Sequence, residues 1–291
     1  MKHITILIAW SVLYCGVACA TTQQEQTVLK APMPHQTYTG GAAVAVHRAR
    51  LEGYFEGKNG NAALLAQLKQ EVQQCTKSLA DSGRTLHPPT AWPEYVMLHR
   101  EETYTAANRS IRYTTELAYG VSKEDCSLLA PIVSKAVLAS SKGVCKIDIS
   151  NKTARGDCDS SGHADAAPER RAAAQPPAQV RQRMAAANPA LAALLPPASS
   201  GQRTILGVRC NVFQQAANQD GDVSTLCYAI GGAFLPLRAV DKDGFGGLLL
   251  ESTTPHGYQL KAVEARLDTA VGSAVFMPYA RGYAVNAGAA P

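Results

Sequence analysis

The sequence predicts an α+β fold: an antiparallel, β-rich curved sheet built from a meander and hairpins, with one or two packing helices. Three observations carry this expectation. The stretch Cys145 to Cys158, CKIDISNKTARGDC, alternates polar and apolar side chains on either side of a turn. Runs rich in β-branched residues and tyrosine recur between turn signals from Tyr95 to Met277. By contrast, the clearest three-to-four spacing over a helix length lies between Asn61 and Gly83, in Leu64, Leu65, Leu68, Val72, Cys75 and Leu79.

Residues 1–20 combine a basic start (Lys2, His3), an apolar run from Ile4 to Val17 and the small-x-small end Ala18-Cys19-Ala20, and read as a secretory signal peptide. Lipidation at Cys19, which would tether the protein to a membrane surface, is the alternative processing. Residues 21–41 are polar and read as a flexible lead. The segment from Ala42 to Phe55 fits a strand through Val44 and Val46, or a helix through Val44, Leu51 and Phe55, and both readings stay open. With the helix that follows and the strands after it, residues 42–158 form the first structured region.

After the rigid connector HPPTAWP, a hairpin is expected from about Tyr95 to Tyr119. Ser122 and Asp125 suggest a capping box and a short helix through Cys126 to Leu129, stopped at Pro131. Ile132 to Ala139 then reads as a strand leading into the Cys145–Cys158 hairpin. Folding that hairpin about Asn151-Lys152 sets Asp148 opposite Arg155, Lys146 opposite Asp157 and Cys145 opposite Cys158.

From 159 to 202 the composition shifts to Ala, Pro, Arg, Gln and Ser, an exposed, mobile excursion. Antiparallel strands resume over 203–280 and complete the same sheet. Here Ile205 to Gln214 and Val223 to Ile230 pair with Cys210 opposite Cys227. Further strands are expected at Ala233 to Val240, Gly247 to Thr253, Tyr258 to Leu267 and Ser273 to Met277, and 281–291 form a flexible tail.

The chain has eight cysteines, and six remain once Cys15 and Cys19 leave with the leader. An even count in an exported chain implies disulfides, and the two hairpin registers choose Cys145–Cys158 and Cys210–Cys227, leaving Cys75 with Cys126. None of the six has the CxxC spacing of a zinc or redox site. The formal charge of +5 is small and dispersed, which argues against nucleic acid. Beyond the leader no apolar run is long enough for a membrane span.

No cofactor, metal or catalytic residue is assigned. Asp220-Gly221-Asp222 and Asp241 to Gly244 lack the remaining ligands of a calcium loop, and His163 with Asp165 has no second cluster to complete a metal site. GxSxG and HExxH motifs are absent, so a hydrolase would need a triad assembled in space around His99 or His256. Asn108-Arg109-Ser110 and Asn151-Lys152-Thr153 match the glycosylation pattern of a eukaryotic secretory chain, whereas the alanine-rich composition points to a bacterium.

The run GGLLLESTTPHGYQLKAVEARLDTAVGSAVFMPYARGY, with Tyr258 leading a strand and Val275-Phe276-x-Pro278 before a tyrosine, resembles the ends of exported bacterial half-barrel proteins akin to the lipoprotein carriers. GVRC at Gly207 to Cys210 resembles related exported domains of unknown function. The resemblance spans Arg203 to Tyr283 and implies a curved antiparallel sheet over an apolar concavity plugged by helices. The disulfides and the Ala/Pro excursion depart from the carriers. The functional expectation is an exported, non-catalytic binding protein, periplasmic or secreted, taking an apolar small molecule or an envelope protein. The alternatives are a periplasmic hydrolase and an envelope assembly subunit.

Overall fold

The computed structural model describes residues 24–31, 40–57, 60–81, 83–106, 109–140, 143–158, 199–216, 223–230, 248–277 and 282–287. In chain order these form helix α1 (24–30), β1 (Ala43–Phe55), α2 (Asn61–Leu79), β2 (Met97–Thr105), β3 (Arg109–Ala118), β4 (Gly120–Val121), β5 (Leu128–Leu129), β6 (Ile132–Ser140), β7 (Gly143–Asp148) and β8 (Thr153–Gly156). They continue with β9 (Gly201–Ile205), β10 (Val208–Ala216), β11 (Val223–Ala229), β12 (Leu249–Thr253), β13 (Tyr258–Gly272), a 3-10 turn (Ser273–Phe276) and β14 (Ala284–Ala287).

Twelve strands form one sheet in the order β14-β8-β7-β6-β3-β2-β1-β13-β12-β11-β10-β9, and β4 and β5 pair separately. Every pairing in the large sheet is antiparallel except β14 with β8. Each half of the chain is a meander, and the β1–β13 ladder joins them. The open reading of Ala42 to Phe55 therefore resolves as a strand. Register shifts at Val46/Arg48 and Arg50/Leu51 in that ladder, and at Cys227/Tyr228, mark bulges that bend the sheet.

The two halves bury opposite faces. On the first face, Val46, Tyr104, Ile111, Tyr113, Ala136, Leu138, Cys145, Ile147 and Ala154 form a core over β1 to β8. On the second, Ala49, Leu51, Leu260, Ala262, Leu250, Cys227 and Cys210 form a core over β1 and the later strands. Strand β1 serves both, because successive side chains point to opposite faces. The 3-10 turn crosses back under the first face, where Phe276 is fully buried, Tyr113 Oη donates to Val275 O and the Arg109 guanidinium lies 4.4 Å over the Phe276 ring.

Helices α1 and α2 cover the other end of the first face, packing Val28 and Leu68 against Leu98, Leu117 and Tyr119. The lead expected to be flexible is thus docked over α1: Val28 is buried and the Glu25 carboxylate accepts the backbone N–H groups of Glu94 and Tyr95 at 3.0 and 3.2 Å. Likewise the expected flexible tail contributes β14. The strand expected at Ser273 to Met277 is the 3-10 turn, and the capping-box helix is absent. Asp125 instead accepts Ser127 N and Oγ, and Cys126 takes a φ of 62°, which ends helical propagation.

The disulfides are Cys75–Cys126, Cys145–Cys158 and Cys210–Cys227. Both hairpin registers differ from the expected ones by two residues. Cys145 faces Gly156, Lys146 faces Arg155 and Asp148 faces Thr153, while Cys210 faces Ala229 and Val212 faces Cys227. In the first hairpin Asp148 takes Asn151 N and Nδ2, each at 2.9 Å, closing a longer turn, and Ser134 O holds Ile149 N and Ser150 N. Those hydrogen bonds from Asn151 hold the Asp148 carboxyl below the usual carboxylate range. A two-residue slip leaves every side chain on its face, so each cysteine still meets its partner on a diagonal. The expected charge pairs are lost.

Of the Ala/Pro excursion, residues 159–198 lie outside the described residues, while Gly201 and Gln202 belong to β9. The signal peptide, Cys19 and the strand expected at Ala233 to Val240 also lie outside them.

Candidate functional site

Because the halves bury opposite faces, the strands at the crossover carry polar side chains outside both apolar cores, among them the buried Arg100, Glu101 and Glu102. Two clusters result, one on each face of β1 and β2.

On the first face the register sets Arg48 opposite Tyr104, Arg50 opposite Glu102 and Glu52 opposite Arg100, with Arg266 and Glu264 beside Arg48 and Arg50 on β13. Arg100 is 2% exposed and donates to Glu102 Oε1, to Leu29 O at 3.2 Å and to Ala31 O at 2.7 Å. It thereby caps the end of α1, whose last carbonyls lack helical partners. Tyr104 Oη donates to Glu102 Oε2 at 3.1 Å. Burial raises the Tyr104 phenol strongly, the Glu102 charge adds to this and Arg48 opposes it. Glu264 Oε1 is shared by Arg48 Nη2 and, at 3.4 Å, Arg266 Nε. The Nε–H groups of Arg48, Arg50 and Arg100 are buried without an acceptor.

On the second face, His99 Nδ1 lies 3.2 Å from Glu116 Oε1 and its Nε2 3.8 Å from Glu101 Oε2. Glu101 is 6% exposed and accepts Thr103 Oγ1 at 3.2 Å. The Tyr258 ring stands edge-on to His99 at 6.5 Å. Its phenol lies over Gly53, where an added Cβ would come within 2.5 Å of the Tyr258 oxygen, so a larger residue there would have to displace the phenol. Burial, followed by the charges of Glu101 and Glu116, pushes the Tyr258 phenol up to about 12.

The folded-state pKa of Tyr258 is raised above the ordinary value of 10.0, so its contribution to stability is complete below pH 10 and is lost as pH rises toward about 12. Tyr258→Phe is therefore expected to lose less stability than wild type over that window. Denaturant unfolding across the alkaline range, with tyrosinate absorbance, measures it; equal losses would show that Tyr258 is not the titrating group.

A carboxylate on Nδ1 is the orientation a general-base histidine needs, but here Nε2 is buried and faces the Glu101 carboxylate. What the cluster lacks is a nucleophile: the partners of His99 are two carboxylates and the Tyr258 ring, and no serine hydroxyl bonds to it among the described residues. His256 sits exposed in the turn between β12 and β13. Among the described residues no three His, Cys, Asp or Glu side chains are placed to hold a metal ion. His163, Asp165, Asp220, Asp222 and the 241–244 segment lie outside them.

Of the second cluster the sequence pointed only to His99, as a histidine around which a triad could assemble, and the arginine cluster was not singled out. The only sequence signal of the arginine cluster is the period-two charge pattern Arg48, Arg50, Glu52 and Arg100, Glu102, ordinarily the mark of a solvated strand face.

No family model and no curated protein matches the chain. Two solved structures of PNGF-II, in two crystal forms, are similar to it with 9% identity and TM-scores of 0.32 and 0.33. Each match covers 84% of this chain, and the chain spans about a third of the length of those structures, 31% and 32%. Likeness at that level carries no functional assignment.

Proposed function

We propose that the protein is an exported, non-catalytic binding protein of the bacterial envelope, and that it takes a protein partner. The observation that supports this is the arginine cluster at the sheet crossover, in which Arg48 is half-buried and Arg266 exposed beside the buried Arg100. Three disulfides fit an oxidising compartment outside the cytosol. Among the described residues no helix is long and apolar enough to cross a membrane.

An apolar ligand, the cargo implied by the half-barrel resemblance, would occupy the second face of β9 to β13. There Leu51, Leu248 and Leu250 are 0% exposed, so the described part of that face is already filled by the chain. The partner reading is the better supported for this reason. The hydrolase alternative would need a nucleophile beside His99.

Capture from envelope extract by immobilised wild-type protein tests the reading. One specific species is expected to be retained, released by salt, and lost with the charge reversal Arg50→Glu/Arg266→Glu, because rim charges act through screened complementarity. Retention unchanged by the reversal would remove this surface as the partner site.

A further inference from the structure

We propose that Arg48 and Arg50, backed by Arg100, form an oxyanion subsite that receives a carboxylate from an acidic segment of the partner; this rests on the partner reading above. The cluster is short of acceptors. Glu102 spends one oxygen on Arg100 and the other on Tyr104, and Glu264 Oε1 is shared by Arg48 and Arg266. Three guanidinium Nε–H groups at neighbouring positions nevertheless remain buried and unmet. Arg50 has no hydrogen bond or ion pair among the described residues, although it lies between Glu102 and Glu264 in register.

Counting Glu52, four guanidiniums on this face meet three carboxylates, so the local balance is positive. Buried donors without acceptors are costly, and a guanidinium fork matches a carboxylate in shape as well as charge. Arg266, 64% exposed, carries the cationic surface outward along β13, whereas Lys261, further along the strand, is already paired with Glu56 at 3.7 Å. That extension favours a peptide bearing several carboxylates over a single small anion.

The test uses the full exported chain and a fluorescein-labelled oligoglutamate peptide, followed by anisotropy at low salt. Arg50→Gln is expected to weaken binding by about tenfold or more, the loss of one charge-assisted contact, with Arg50→Lys in between. A thermal melt confirms that the variants are folded, and Lys69→Gln, on α2 and away from the cluster, is expected to bind like wild type. Equal affinity for wild type and Arg50→Gln would overturn the subsite. Inorganic phosphate displacing the peptide as effectively as free oligoglutamate would overturn the assignment to an acidic segment. If Arg50→Gln loses the peptide yet captures the same species from envelope extract, the subsite stands and the partner reading fails at this surface.

Discussion

Replacing Arg100 by Met is expected to destabilise the protein by about 3–5 kcal/mol, because it leaves the Glu102 carboxylate buried without its cation. The same change removes the donors to Leu29 O and Ala31 O, so α1 should lose its hold on the sheet and protease should cut near it first. Adding Glu102→Gln should recover most of the loss, since a neutral amide still accepts the Tyr104 hydroxyl and a methionine fills the apolar volume. Chemical denaturation of the two variants measures both steps. A double variant no more stable than Arg100→Met would show that the cost lies in the lost helix cap rather than in the stranded charge.

Removing Cys75–Cys126 by double serine substitution is expected to cost about 4 kcal/mol, against about 3 kcal/mol for either hairpin bridge, in the chain-entropy model. The difference follows from loop length: the sequence separations are 51, 13 and 17. The long bridge also holds α2, whose buried contacts with the sheet rest on Leu68 and Val72, against the loop that carries Cys126. Denaturant midpoints of the three double variants decide the order. If the Cys75/Cys126 variant were the mildest of the three, packing of Leu68 and Val72 alone would be sufficient to seat the helix.

The two polar clusters share an origin. A sheet that buries one face over its first strands and the other face over its later ones must pass through strands flanked on both sides by polar positions outside both apolar cores. Strand β1 occupies that place, with Val46 in one core and Leu51 in the other, and between them it presents Arg48 and Arg50. The arginine cluster therefore follows from how the halves are joined, and the same junction leaves His99 between two carboxylates on the reverse side.

Much of the local architecture was legible. Three-to-four spacing marks α2, alternation marks β7 and β8, and the parity of the cysteines restricts which can share a face. The docking of α1 was not legible, because its polar sequence conceals the single buried Val28 and the Glu25 carboxylate that caps two backbone amides. The arginine cluster was hidden for a related reason: Arg48 meets Glu264 across 216 residues of chain, and Arg100 meets Leu29 across 71.

By itself the sequence determined strand parity, the position of the long helix and the set of cysteines able to meet, because these depend on side-chain periods within one segment. Only the tertiary structure decided the registers, the face each half buries and the place of the arginines. The first hairpin shows why. Its charges favour one register, yet Ser134 of a neighbouring strand and the Asp148 turn select another, two residues away, that keeps every side chain on the same face. Parity is a property of a strand, and register is a property of its neighbours.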